Sequence, residues 1–320
     1  MSNTHNELFE KGLLTVNQND QLKKIADRQL VSVYFDLRAL LYAGVLLFST
    51  GIGILIYKNI GDIGHLVAIG VLMLLTAACF VYIFRVGPKY QHQKVEGPTP
   101  YFEYVVLLGS LLLISVQGYL QFKYELLTEN LGISTLISAT VFFLVAYRFD
   151  HLGVLSLGIT ALASFFSLTL SPKKWYSAEF FEGSHLYLTA VFFGLALAVV
   201  ALVLEHRKVK PHFTFTYLNF ALLIFFFGSL SALMIEQGWM GVYLMLVYAG
   251  VIFAWFSARR RRSFLFLLYA FLAAYIGTTY MLSQTVMRDA GALWFYYSIL
   301  SCGGFVYFIV HFRNYFSRNV

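Results

Sequence analysis

Charged residues are scarce in this chain, where only 12% of the 320 residues are Asp, Glu, Lys or Arg. An ordinary soluble domain carries about a quarter. Hydrophobic residues make up 59% of the sequence, and they form runs long enough, at about 1.5 Å per residue, to cross a hydrocarbon core of roughly 30 Å. The composition therefore excludes an ordinary soluble protein and predicts a polytopic α-helical membrane protein.

The long apolar runs lack the period-two alternation of a transmembrane β-barrel. We predict an all-α bundle of about ten transmembrane helices, at about 39–57, 62–84, 102–120, 131–147, 152–170, 185–204, 214–234, 239–257, 263–282 and 292–312. A cytoplasmic helical tail at 1–38 precedes the transmembrane domain at 39–312, and a short cytoplasmic tail follows at 313–320. The transmembrane domain divides into possible halves at 39–170 and 185–312.

Cysteine is also rare, and we expect no cleavable leader. Cys79 and Cys302 both fall inside predicted spans, so the sequence offers no disulfide framework. Residues 1–38 are polar and contain no short apolar core followed by a small-residue cleavage site. We therefore expect the first span to insert as its own signal.

Four consecutive arginines, Arg259, Arg260, Arg261 and Arg262, separate two apolar runs. A single Arg at the centre of a membrane helix costs about 2.5–3.5 kcal/mol, so this run marks a loop. With a cytoplasmic N-terminus, every basic cluster of three or more falls on the cytoplasmic side. The Lys and Arg residues on the other side are Lys58, Lys123, Lys173, Lys174 and Arg288. Positive charge thus predicts both termini in the cytoplasm.

The four arginines are interpreted as cytoplasmic anchors that attract anionic lipid. A specific ligand or partner site is the alternative. No soluble basic domain is present to enter a nucleic-acid groove, so we expect no nucleic-acid partner.

Polar groups are nearly absent from the span centres. Gln117 and Asn219 are the candidates for intramembrane polar sites, either as interhelical hydrogen-bonding groups or as ligands. Because ion-coupled transporters carry ionisable relays at depth, this scarcity disfavours tight ion coupling. Close helix packing is predicted by small residues in three spans: Ser49, Gly51 and Gly53 in the first, Gly194 and Ala198 in the sixth, and Gly303 and Gly304 in the tenth. A mid-depth hinge is the alternative for Gly51 and Gly53.

Acids and imidazoles gather at the predicted outer ends, at Asp62, His65, Glu179, Glu182 and His185. If the second and sixth spans are neighbours, these groups could bind a cation or a polar solute. Solvated loop residues are the simpler interpretation. The sequence contains neither H-E-x-x-H nor G-x-S-x-G. We expect no catalytic residue, metal or cofactor, while an intramembrane lipid-modifying enzyme built on the outer cluster stays open as a minor alternative.

The N-terminal fifth resembles a known family. The stretches "LFEKGLLTVNQNDQLKKI" (residues 8–25) and "FDLRALLYAGVLLFSTGIGILIYKNIGDIGH" (residues 35–65) are similar to the N-terminal signature of DUF2157, a bacterial family of predicted membrane proteins of unknown function. The resemblance implies a polytopic protein with a cytoplasmic N-terminus and supplies no activity. The apolar side of the tail, in residues 7–30, is a possible contact for a protein partner.

The architecture resembles the drug and metabolite transporter superfamily. Ten spans with short loops give two five-helix halves of opposite orientation, as an inverted repeat requires, although fold alone does not establish function. The first hypothesis is a small-solute permease or facilitator without tight ion coupling, which predicts a polar or aromatic cavity reaching mid-depth between the halves. The alternative is a non-catalytic scaffold or accessory subunit, which predicts a stable complex weakened by deletion of residues 7–30.

Overall fold

The computed structural model describes residues 34–95, 97–124, 131–170, 186–285 and 291–317. Within these ranges the long elements are all helices and no strand occurs, which confirms the predicted all-α fold. The helices are α1 (Tyr34–Ile63), α2 (His65–Val86), α3 (Phe102–Tyr124), α4 (Leu131–Phe149), α5 (Leu152–Leu170), α6 (Leu186–Arg207), α7 (Phe213–Ile235), α8 (Met240–Arg261), α9 (Phe264–Gln284) and α10 (Gly291–Ser317).

Nine of the helices in the described ranges are long and apolar enough to cross a membrane. The remaining helix, α10, has a shorter apolar stretch at Leu293–Phe308. The protein is therefore a multi-pass helical membrane protein, as its composition predicts.

Several helix boundaries differ from the sequence prediction by a few residues, and those around α1 and α2 have local causes. Helix α1 begins at Tyr34, ahead of residue 39, and continues to Ile63. The Arg38 guanidinium at its start pairs with the Glu103 carboxylate at 2.5 Å, so the helix extends past the apolar run without an uncompensated charge. The break before α2 falls at Gly64, whose φ of 78° is a conformation that glycine adopts readily and other residues rarely do.

Consecutive helices pack as antiparallel hairpins: α2 with α3, α4 with α5, α6 with α7 and α8 with α9. Helix α7 also contacts α5, α8 and α9, and half of its apolar window is buried. Helix α1 packs on α2 and α3, and the main contact of α10 is with α9. The two predicted halves meet chiefly where α5 packs against α6 and α7.

The α6–α7 hairpin is packed most closely at two glycines. A Cβ atom added at Gly194 would lie 2.8 Å from the backbone nitrogen of Phe225, and one added at Gly228 would lie 2.7 Å from the carbonyl oxygen of Tyr187. Only a residue without a side chain lets the two backbones approach this far. The prediction of close packing at Gly194 is therefore correct, and Gly228 is its counterpart on α7.

Three ion pairs place the basic segments at one end of the bundle. They join the start of α1 to α3, the α4–α5 turn to the α6–α7 turn, and the end of α6 to the end of α8. We call this end, with its described connecting segments 87–95, 97–101, 150–151, 208–212 and 262–263, the basic end, and the opposite end the far end. Among the lysines and arginines of the described ranges, only Lys58 and Lys123 lie at the far end, and of Lys58 only the backbone is described.

Candidate functional site

An apolar groove lies between the two halves, where α5 faces α6 and α7. Its volume is about 530 Å³, within the roughly 300–1,000 Å³ typical of small-molecule sites. Apolar and aromatic side chains line it from all three helices, including Phe166 of α5, Tyr187 and Phe193 of α6, and Leu223, Phe227 and Ile235 of α7. The rings of Phe166 and Phe193 pack with their centroids 5.2 Å apart. No charged residue is among the described side chains that line the groove.

The groove runs from the far end to the middle of the bundle. On α7 its lining extends from Ile235, the last residue of the helix, back to Leu223 near the helix midpoint. At 1.5 Å per residue this distance is about 18 Å. Leu223 and Phe227 are 50% and 58% exposed, so one wall of the groove opens sideways onto the surface that faces lipid.

Polar groups occur where the groove reaches the far end. The hydroxyl of Tyr187 donates a hydrogen bond of 2.6 Å to Oε1 of Glu236, the residue directly after α7. The Tyr187 ring also packs edge-on against Tyr243 of α8. The hydroxyl of Tyr280 donates a 3.1 Å hydrogen bond to the carbonyl oxygen of Met234. At the far end of the groove the Glu236 carboxylate therefore lies beside the Tyr187 ring, which packs against Tyr243.

A buried ion cluster occupies the basic end of the same helices. The Asp150 carboxylate, 1% exposed, lies 3.1 Å from the Nζ atom of Lys210, 0% exposed. Oδ1 of Asp150 also contacts Nε2 of His212, and Oδ2 accepts a 2.6 Å hydrogen bond from the backbone N–H of Val95. Charges removed from water in this way are stable only when paired and hydrogen-bonded. We call Asp150, Lys210 and His212 the ion cluster.

The ion cluster ties three connecting segments together. Asp150 lies in the α4–α5 turn, Lys210 and His212 lie in the α6–α7 turn, and Val95 belongs to the α2–α3 connection. The backbone N–H of Lys210 donates a 2.8 Å hydrogen bond to the carbonyl oxygen of His92 in that connection. Asp150 and Lys210 have φ values of 62° and 48°, a left-handed conformation that is uncommon for residues other than glycine.

His151, next to Asp150, is buried and partly unpaired. Its Nδ1 accepts a 3.1 Å hydrogen bond from the backbone N–H of Val154, while its Nε2 has no partner among the described residues. Burial lowers the pKa of His151, and the negative charge of Glu103 partly offsets this effect. The neutral imidazole is therefore the favoured form in the folded protein.

The four arginines predicted as anchors lie at the basic end. Arg261 pairs with Glu205 of α6 at 2.5 Å, and Arg260 contacts the same carboxylate at 3.4 Å. The guanidinium of Arg259 stacks over Trp255, 4.8 Å from the ring centroid. Arg262 ends α8 in a left-handed conformation, and its N–H bonds to the carbonyl oxygen of Ala258. At least two of these arginines therefore pair with a protein carboxylate, a contact that the charge count does not foresee.

The predicted outer cluster is described only in part. His65 begins α2, and its Nδ1 is hydrogen-bonded to the hydroxyl of Tyr119 on α3 at 2.7 Å. Glu179, Glu182 and His185 lie outside the described residues, and only the backbone of Asp62 is described, in the last turn of α1. The main contacts of α2 are with α1 and α3, whereas those of α6 are with α5 and α7. A shared site of the five residues stays a prediction.

The two intramembrane amides make hydrogen bonds between helices. Nε2 of Gln117 donates to the Ser134 hydroxyl at 2.5 Å, and its Oε1 accepts from Ser138. Oδ1 of Asn219 on α7 accepts a 2.9 Å hydrogen bond from Tyr269 on α9. Each of these contacts is between helices and needs no ligand.

The first-span small residues lie on an exposed helix. Helix α1 is continuous through Ser49, Gly51 and Gly53, and a Cβ atom added at either glycine would meet nothing within 4 Å. The structure therefore places neither glycine against another described helix, because α1 sits at the edge of the bundle and its apolar window has no buried residue. The glycine pair in the tenth span, Gly303 and Gly304, is similarly open.

Sequence reasoning missed the ion cluster. Arg148, Asp150 and His151 form a recognisable charged turn in the sequence, and one interpretation pairs these charges with one another or with lipid. The structure instead pairs Asp150 with Lys210 and His212, while Arg148 bonds to the carbonyl oxygen of Pro88. The sequence did contain a signal for the ion cluster. Asp150 lies in a short turn between two spans, on the side of the protein that carries most of the lysines and arginines, and a buried carboxylate requires a basic partner.

Comparison with known proteins agrees with the membrane class defined by the fold. Residues 6–127 match the family described as "Predicted membrane protein (DUF2157)", which confirms the resemblance seen in the N-terminal part. Within the described residues this match covers α1 to α3. The groove and the ion cluster lie on elements beyond it. Searches of curated proteins and of solved structures gave no match.

Proposed function

We propose that the protein is a small-solute permease or facilitator of the bacterial inner membrane, without tight ion coupling. The groove between the halves carries this proposal, because it has the features that the permease hypothesis requires: an aromatic lining, a position between the halves and a depth that reaches the bundle centre. Its apolar lining favours an amphipathic or apolar solute over a strongly hydrated one. The proposal gives the chain no catalytic role.

The contrast between the groove and the joined basic end fits an alternating-access cycle. In the described conformation the lining of the groove reaches the far end, and the ion cluster joins the turns of both halves at the basic end. A solute that enters the groove would leave on the other side only after α5 and the α6–α7 hairpin move relative to each other. Rocking of one half against the other is a common route to this exchange.

Flux in proteoliposomes tests the proposal. The probes are octyltrimethylammonium and octane sulfonate, which are amphipathic ions of equal chain length whose permanent charge slows passive entry. Entry is measured by mass spectrometry against protein-free vesicles. Ser231→Trp places a bulky ring in the groove, and Leu47→Trp places the same ring on α1, where Leu47 is 73% exposed.

We expect at least one probe to enter in a protein-dependent manner, with Ser231→Trp reducing the rate at least tenfold and Leu47→Trp leaving it unchanged. Recovery of the probe chemically unaltered distinguishes transport from an enzymatic reaction. If no probe enters faster than in empty vesicles, and a co-purifying protein is lost when residues 7–30 are deleted, the accessory-subunit hypothesis replaces this one.

The proposed orientation has its own test. Both termini and the basic end are proposed to face the cytoplasm, where the arginines would contact anionic lipid. Arg262→Cys, in a chain whose Cys79 and Cys302 are replaced by Ser, should react with a membrane-impermeant maleimide only after the cells are opened. Labelling of intact cells would reverse the orientation.

A further inference from the structure

We propose that the groove binds an amphiphile with a hydrocarbon tail and an ammonium head group, and that Glu236 recognises the head. This inference deepens the proposed function and rests on it for the role of the groove in transport. Binding itself is argued from the dimensions, the exposure and the charge of the groove.

The length of the groove suits a tail from one leaflet. Its lining on α7, from Ile235 to Leu223, extends about 18 Å along the helix, and one leaflet of the hydrocarbon core is about 15 Å thick. A tail that lies along α7 with its head at Glu236 would therefore end near the bilayer centre, where the groove also ends. A compact polar solute would leave much of this apolar wall uncovered.

The open wall of the groove provides a route for such a molecule. Leu223, Phe227 and Ile235 line the groove and are also exposed on the outer surface of the bundle. An amphiphile dissolved in the bilayer can enter between these side chains sideways, without leaving the hydrocarbon. The polar head would stay at the membrane surface throughout this movement.

The far end of the groove favours a positive head group. Glu236 follows the lining residue Ile235 directly and accepts a hydrogen bond from Tyr187, which itself lines the groove. An ammonium group beside them would gain a carboxylate partner and the aromatic ring of Tyr187, whose face attracts cations. Among the described lysine and arginine side chains only that of Lys123 lies at this end, and α3, which carries it, does not line the groove.

Photolabelling in lipid nanodiscs separates the head group from the tail. The two probes are a sixteen-carbon primary amine and the sixteen-carbon fatty acid, each with a diazirine at the same tail position. They are used at equal concentration near neutral pH, and labelled peptides are quantified by mass spectrometry. Peptides from α5, α6 and α7 report the groove, and peptides from α1, an exposed helix outside it, report general contact with lipid.

We expect the amine to label groove peptides above the α1 level and more strongly than the acid does. Glu236→Gln should reduce this preference by about fivefold, as for a partly exposed ion pair of about 1 kcal/mol, and Glu236→Asp should retain it. Ser231→Trp should remove groove labelling, while Leu47→Trp should not.

Equal labelling by the two probes, or an amine preference that survives Glu236→Gln, would overturn the assignment of the head group. Groove labelling no higher than that of α1 would overturn the site. Because labelling is measured without flux, its success with no protein-dependent entry would reject the permease and keep the binding site. Entry that depends on Ser231 without amine labelling of the groove would reject this inference and keep the permease.

Discussion

The two ends of helices α5, α6 and α7 differ in both chemistry and packing. At the basic end, their turns enclose Asp150 and Lys210 so completely that these side chains are 1% and 0% exposed. At the far end the same helices separate into an apolar groove of about 530 Å³. Buried charges require fixed partners in fixed positions, whereas an apolar groove accepts different contents without leaving a polar group unsatisfied.

This difference assigns different roles to the two ends. The ion cluster fixes the α4–α5 turn to the α6–α7 turn and so sets how the two halves meet. The groove is the part of the interface between α5 and the α6–α7 hairpin that a ligand can occupy. The contrast is testable, because changes at the basic end should alter stability and changes in the groove should alter binding and flux.

Removal of one partner from the ion cluster should give the largest effect. Asp150→Ala leaves the buried Lys210 ammonium unpaired, and we expect a loss of about 3–5 kcal/mol in unfolding free energy, measured by denaturant titration in mild detergent. Glu205→Ala, which breaks a more exposed ion pair with Arg260 and Arg261, is the matched control and should cost about 1 kcal/mol or less. Equal losses of unfolding free energy in the two variants would contradict the greater contribution that we assign to the buried ion cluster.

A side chain in the tightest helix contact should have the next largest effect. Gly194→Ala brings a Cβ atom to 2.8 Å from the Phe225 backbone nitrogen, and overpacking of this kind costs about 1–3 kcal/mol. Gly51→Ala meets nothing within 4 Å and should be neutral or stabilising by about 0.5–1 kcal/mol, because alanine favours the helix. The thermal midpoints of the two variants should therefore shift in opposite directions, and a shared direction would contradict the packing assigned to α6 and α7.

Loss of a single hydrogen bond at the mouth of the groove should have a smaller effect on stability. Tyr187→Phe removes the hydroxyl that donates to Glu236, and we expect a change of about 0.5–1.5 kcal/mol in unfolding free energy. The same variant leaves the ring that lines the groove. Titration of the sixteen-carbon amine should show retained binding, and its complete loss would mean that the hydroxyl itself holds the ligand.

Acidification should weaken the basic end gradually through His151. Burial lowers the pKa of this side chain in the folded protein, whereas the unfolded chain takes up the proton near the ordinary value of about 6.5. The unfolded state therefore binds more protons below that pH, so stability should fall as pH decreases. Thermal midpoints of the wild type and His151→Gln between pH 7.5 and 5 measure this effect, and the variant should show the flatter profile. An identical slope in both proteins would assign the pH dependence to other groups.

Much of the fold follows from the sequence because lipid imposes strict rules on a spanning chain. Apolar runs of sufficient length must be helical there, and this rule located the ten helices of the described ranges to within a few residues at most boundaries. Two of the exceptions have local causes. Arg38 extends α1 because Glu103 neutralises its charge, and Gly64 sets the next helix start because of its positive φ.

The candidate sites were less predictable, because they depend on which helices become neighbours. Gly51 and Gly194 both stand as small residues within apolar runs, yet only Gly194 meets another backbone. Asp150 has charged neighbours in its own turn, but its partners come from a turn some sixty residues away in the sequence. Such contacts follow from tertiary packing and leave no periodic pattern in the chain.

By itself the sequence determined the membrane class, the all-helical character of the described ranges, the number of long helices in them and the separation of basic connections from the rest. It could do so because the exclusion of charge and unpaired backbone from hydrocarbon acts on each segment independently. Tertiary structure alone decided that α7 lies at the centre, that Lys210 buries its charge against Asp150, and that the far ends of α5, α6 and α7 part to leave a groove. These features depend on side-chain shape and pairing between segments that are distant along the chain.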